Sequence, residues 1–185
     1  LKVYEFASYS SDASKLYSNK LCISTDFIDA WETLRAQTGS IFINSGYRNS
    51  VHNDYWVDRG KATKQSEHAA GSAADMSVPS GYSDITFKAL CETSGFTGTV
   101  YIISSTSVHA GTWGANDYPF LNDVGHSALH VFTAEDALIC HDYSPILSGY
   151  YSSSDISEME DFQSANGLSP TGEVNDDTWD KLMAH

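Results

Sequence analysis

Histidine 68 and aspartate 75 bracket the run His-Ala-Ala-Gly-Ser-Ala-Ala-Asp, a nitrogen donor and a carboxylate separated only by small residues. Gly71 supplies a position where a left-handed turn meets no steric resistance. If a strand then starts at Ala73, the side chains of His68 and Asp75 converge on one point. His109, expected where a later strand ends, offers a second imidazole. Two imidazoles and one carboxylate are the donor set of an open zinc site, in which three protein ligands leave the fourth position to water. Taken alone, a His and an Asp at this spacing specify little, since a surface histidine and an unrelated aspartate give the same pattern. On the residues alone His130, in Leu129-His130-Val131-Phe132, is an alternative third ligand. The default for His52, His126, His130 and His141 is a surface or supporting imidazole.

Specificity comes from the surroundings. Ser45-Gly46-Tyr47-Arg48 is followed by Asn53, then by Ser66-Glu67-His68-Ala69-Ala70-Gly71-Ser72-Ala73-Ala74-Asp75, and finally by Phe96 through Val108-His109. This order resembles the zinc D-Ala-D-Ala carboxypeptidase-like peptidases, peptidase M15, which share a fold with the amino-terminal signalling domain of hedgehog proteins. The likeness runs from about Leu1 to Trp113, and several motifs match jointly. It implies Zn²⁺ held by His68, Asp75 and His109, with His109 preferred to His130 because its distance from Asp75 fits the family spacing. It implies that Arg48 acts in catalysis by holding a substrate carboxylate or orienting the peptide, a task suited to guanidinium geometry. The competing role for Arg48 is a salt bridge stiffening the loop after a strand. Asn53 and Ser66 are implied to line the same cleft and bind substrate. The activity implied is hydrolysis of peptidoglycan stem peptides next to a D-amino acid, as a carboxypeptidase or an endopeptidase.

One expected group is missing. Peptidases of this kind carry an acid near the last histidine that takes a proton from water and passes it to the leaving amine. Here Ile103, Ser104, Ser105, Thr106 and Ser107 precede His109, and Gly111 stands two residues after it. Asp117, Asp123, His126 and His130 are candidate substitutes. Glu67 is another, although strand alternation would point it away from the ligand beside it. An acid restored at Gly111 is expected to raise the rate unless glycine is needed there for its backbone. The second reading is a zinc-containing module that binds cell-wall peptides or a protein partner without hydrolysis.

The elements that must position these groups follow from periodicity. Residues 24–37 predict a helix, with Ser24 or Thr25 as cap, Phe27, Ala30, Trp31 and Leu34 on one face, and Gly39 as terminator. Strands are expected over 41–43, 73–78 and 100–103, near Val108, and over 129–132. A helix is expected over 84–92, a helix or loop over 50–66, a turn at Pro79-Ser80-Gly81, and a long loop over 111–125. The fold class is α+β: a zinc domain over 1–147 whose family likeness implies a small central antiparallel sheet flanked by helices, plus a short helical segment over 153–185. That segment follows the linker-like run Gly149 to Ser154. Phe162-Gln163-Ser164-Ala165-Asn166-Gly167-Leu168, Thr171-Gly172-Glu173-Val174 and Thr178-Trp179 through Leu182 resemble the latter half of a peptidoglycan-binding helical module, with one helix short or lost. Its alternative is a helical pair packed on the first domain.

Composition limits the partners. Asp and Glu number 24 against 10 Lys and Arg, a formal charge of −14, which disfavours nucleic acid and anionic lipid surfaces. No apolar run reaches the length of a membrane span. No charged-then-apolar leader stands at Leu1, so no signal peptide is read in this chain; the resemblance to cell-wall peptidases implies a secreted or wall-associated protein, expected to be a monomer. Cys22, Cys91 and Cys140 form no CxxC pair, which leaves thiolate zinc sites without support. Cys91 reads as a buried apolar residue, and a Cys22–Cys140 bridge is an open alternative.

Overall fold

The structure, a computed structural model, describes residues 23–113, 118, 121 and 128–185. Helix α1 spans Thr25–Thr38, starts at the extended Ser24 and stops at Gly39, whose φ of 76° only glycine adopts readily. Its buried stripe of Phe27, Ala30, Trp31 and Leu34 has the spacing of one helical face. Helix α2 spans Ser50–Val57 and is capped by Asn49, whose side chain accepts the His52 N–H. Helix α3 spans Asp84–Thr93 behind a reciprocal Ser83–Thr86 cap.

Four strands form one antiparallel sheet in the order β1-β2-β4-β3, with β1 Ile43–Ser45, β2 Ala73–Ser77, β3 Val100–Ser104 and β4 Ser107–Gly111. β1 begins at the end of the expected run 41–43 and takes in Asn44 and Ser45. Pairing with β2 decides this, since Ile43 faces Met76 and Ser45 faces Asp75. Alternation gives the sheet two unlike faces. Ala74, Met76, Val108 and Ala110 pack with α1 and α3 in one core cluster with Phe87, Cys91 and Phe96. Cys91 is buried there, as expected. The opposite face carries Asp75, His109 and Tyr101.

Three more helices, α4 Ala128–Cys140, α5 Ser153–Ala165 and α6 Asp176–Leu182, build a second cluster. The strand expected over 129–132 is instead the first turn of α4. A run of four residues, three of them apolar, cannot by itself distinguish strand from helix. What decides is the continuation: Val131, Ala134, Ala137 and Leu138 fall on one helical face and are buried together. They meet Met159 and Phe162 of α5, and Trp179 and Leu182 of α6. Tyr151, inside the expected linker, is fully buried and donates its hydroxyl to the Gly172 carbonyl. The Glu135 carboxylate pins the same stretch by accepting the Ser148 and Gly149 N–H groups.

The second cluster does not stand apart from the first domain. Ala69 and Ala70, directly after His68, are members of it. Tyr47 donates its hydroxyl to Asp136 of α4 at 2.5 Å. The His185 N–H donates to Asp54 of α2 at 2.9 Å. Most of the loop expected over 111–125, and the Cys22 side of the open Cys22–Cys140 pairing, lie outside the described residues. No described helix is long and apolar enough to cross a membrane.

Candidate metal centre and cleft

Strand register assembles the centre. Ser45 pairs with Asp75, Asp75 with His109, and His109 with Tyr101, so four residues from four strands form one row across the sheet. His68 joins from the side. It sits in the tight turn 67–71, where the Gly71 N–H donates to the His68 carbonyl and Gly71 has a φ of 65°. The result places His68 Nε2 at 3.3 Å and His109 Nδ1 at 2.9 Å from Asp75 Oδ1. One donor atom from each of the three residues lies within 4.8 Å of the other two. The structure thus brings His68, Asp75 and His109 together as a possible metal site.

The outer partners suit that donor set. His68 Nδ1 lies 2.8 Å from the Gly46 carbonyl, an acceptor only, which puts the ring proton on Nδ1 and frees Nε2. His109 stands between two carboxylates, with Nε2 3.0 Å from Glu67 Oε2 and Nδ1 2.9 Å from Asp75 Oδ1; a metal taking Nδ1 would leave the ring proton on Nε2, held by Glu67. A histidine whose second nitrogen is held by a carbonyl or carboxylate is the usual arrangement around a protein-bound metal. Asp75 is shared: its Oδ2 takes Arg48 Nη2 at 3.2 Å, while Arg48 Nε donates to Ser45 Oγ at 3.0 Å. Burial would raise the Asp75 carboxyl, but hydrogen bonds from His109 and His68 outweigh it and hold the group well below the ordinary range. Burial, then the Arg48 charge, lowers the His68 imidazole. Asp75 and His68 therefore stand in the deprotonated forms a metal requires, whereas at His109 burial is outweighed by the hydrogen bonds to Asp75 and Glu67, which raise the imidazole, so a metal binding there displaces a proton.

A cleft of about 880 Å³ opens over the centre. Arg48, Ser66, His68, Asp75 and His109 are among the residues that line it. Asn53 is fully buried instead, donating its amide to the Thr63 and Lys64 carbonyls, so it shapes the loop bordering the cleft. Two wall features were not singled out from sequence. Tyr101 stacks on His109 with ring centroids 4.7 Å apart and stays half exposed. Trp56 donates its indole N–H to His52 Nε2 at 3.0 Å, and both rings line the cleft. The alternating pattern of β3, paired with β4, carried the Tyr101 signal. His52 and Trp56, one helical turn apart, could have been read as one face of α2.

The candidates for the missing acid separate cleanly. His130 is buried in α4 against Trp113 and Tyr118, away from the residues that line the cleft. Asp117, Asp123 and His126 lie outside the described residues. Glu67 faces the centre, contrary to the alternation argument, because it lies in the turn before β2, where strand alternation does not apply. Its Oε1 accepts the Thr99 N–H at 3.2 Å. Gly111 is extended in β4, so backbone conformation does not require glycine there. Space does: a Cβ at 111 would stand 2.7 Å from Glu67 Cδ and closer still to Oε1.

Comparison with known families agrees with this geometry. Residues 129–182 match the model of a putative peptidoglycan binding domain, a range that takes in α4 with α5 and α6. No curated protein and no solved structure matches the chain. Residues 1–111, which supply every member of the His-Asp-His centre, match the model described as Peptidase M15, and the chain belongs to that family.

Proposed function

We propose that this chain is a zinc-dependent cell-wall peptidase that hydrolyses peptidoglycan stem peptides next to a D-amino acid. The observation that carries the reading is the convergence of His68 Nε2, Asp75 Oδ1 and His109 Nδ1 at the base of an open cleft, each histidine fixed by an outer acceptor. The chemistry supplied by a zinc ion held there is Lewis acidity, which polarises a carbonyl and acidifies water. His68, Asp75 and His109 are the proposed ligands. Arg48 keeps Asp75 oriented and, from the cleft base, offers a guanidinium to a substrate carboxylate; Ser66 is the proposed polar contact beside it, and Asn53 supports the loop. Tyr101 and Trp56 supply flat walls against which a short peptide is confined. The proposed site of action is the cell wall, outside the cell, with the helices of 128–182 contributing wall contact and the chain acting as a monomer.

The test is direct. Zinc-loaded protein is incubated with stem peptides ending in D-Ala-D-Ala and with cross-linked muropeptides, and products are resolved by mass spectrometry. Release of a D-amino acid or of a cross-link, lost with a chelator and restored by zinc, supports the reading. The second reading, a non-hydrolysing wall-binding module, is favoured by Gly111 in the place of the family acid. Zinc binding and wall sedimentation with no cleavage of either substrate would establish it.

A further inference from the structure

We propose that Glu67 is a positioning residue for the metal centre, its carboxylate filling the space that a side chain at 111 would need and holding His109 from there. The inference rests on the zinc reading above and concerns how this chain keeps its third ligand in the right tautomer. Three observations carry it. Glu67 Oε2 lies 3.0 Å from His109 Nε2, and both side chains are almost fully buried, 2% and 5% exposed. Its other oxygen accepts the Thr99 N–H, so the carboxylate is anchored at both ends. Gly111, beside it, has no room for a Cβ while Glu67 remains in place.

The backbone explains how Glu67 reaches this spot. The Ser72 N–H and hydroxyl both donate to the Glu67 carbonyl, at 3.0 and 3.1 Å. That closes the turn and directs the side chain under β4. A carboxylate is thereby delivered from the loop before β2, beside the strand position that in related peptidases carries an acid. Because both oxygens are engaged, and Oε2 sits at the far nitrogen of His109, Glu67 acts on the ligand rather than on water in the cleft. A neutral imidazole in water samples both tautomers. In the metal-free centre Asp75 Oδ1 faces Nδ1 at 2.9 Å as Glu67 faces Nε2; with a metal on Nδ1 and Asp75, the acceptor-only Glu67 at Nε2 would hold the one remaining ring proton there, the form a metal requires.

The test uses the full chain and zinc alone, with affinity measured by chelator competition and the His109 ring observed by long-range ¹H–¹⁵N spectra of the zinc-loaded protein. In the wild type the spectra should show Nε2 protonated. Glu67→Ala should weaken zinc binding about 10–100-fold, the usual range for loss of an outer partner. Gly111→Ala, which retains Glu67 but displaces its carboxylate, should also weaken zinc, so the proposal does not depend on Glu67→Ala folding. In Glu67→Ala/Gly111→Ala the second change should add nothing, because the steric conflict is gone. Glu67→Ala/Gly111→Asp should recover part of the affinity. Unchanged affinity in both single variants, or losses that simply add in the double, overturns the proposal. A wild type that binds no zinc overturns the zinc reading itself, and the positioning role with it.

Discussion

Replacing Asp75 by asparagine removes the negative charge of a carboxylate that three neighbours share: Arg48 at 3.2 Å, His109 at 2.9 Å and His68 at 3.3 Å. Two separate effects are expected. In metal-free protein the Arg48 guanidinium, 9% exposed, is left without its opposite charge. Breaking a buried pair by removing one partner costs about 3–5 kcal/mol. The low end applies here, because the Asp75 carboxylate is 17% exposed and the asparagine oxygen still accepts one bond from Arg48. A loss of about 3 kcal/mol corresponds to a fall in Tm of roughly 6–12 °C for a chain of this length. With zinc at a hundredfold excess over its Kd, the wild type gains about 2.7 kcal/mol that a variant unable to bind metal lacks. The gap between the two proteins should therefore widen to about 6 kcal/mol on adding zinc. Urea unfolding, followed by the fluorescence of the 4 tryptophans with chelator and then with zinc, measures both arms. Equal stability in chelator refutes the ion pair. Equal stabilisation of both proteins by zinc refutes Asp75 as a ligand.

Other substitutions test the remaining parts of the structure. Trp179→Ala, at a fully buried side chain packed edge-on against Tyr118 at 4.9 Å, should cost about 3–5 kcal/mol and reduce sedimentation with purified cell walls. Deleting residues 153–185 strips Met159, Phe162, Trp179 and Leu182 from a cluster that contains Ala69 and Ala70; the truncated chain should be far less stable and should bind zinc more weakly, measured on soluble protein by circular dichroism and metal titration. A truncated form that keeps wild-type stability would show the helices to be an independent unit. Burial pushes the Cys91 thiol up to about 12, and the residue is fully enclosed, so at pH 8 its alkylation should be slow and limited by opening of the fold. Peptide mapping that found Cys91 labelled within seconds in native protein would contradict its place in the core.

How much was legible in the sequence depends on whether the controlling interaction is local. The stripe of α1, its Gly39 stop and the strand at 73–77 follow from spacing and turn chemistry within a few residues, and the sequence alone determined them. The convergence of His68 and Asp75 was also readable, because small residues and Gly71 allow one tight turn and one strand start. Other features required distant partners. Leu129 to Phe132 has the composition of a strand, but burial of Val131, Ala134 and Leu138 against α5 and α6 makes it a helix. Tyr101 enters the cleft because β3 pairs with β4 in a register that sets it beside His109, and register is a property of two strands. Glu67 faces His109 because the turn before β2 rotates it there, and its carboxylate occupies the space a side chain at Gly111 would need. Hydrophobic period and turn residues act over one or two turns of chain, so sequence carries them. Which carboxylate reaches which imidazole, and which helix covers the turn that holds His68, are settled by packing between segments far apart in the chain, and only the tertiary structure decided them.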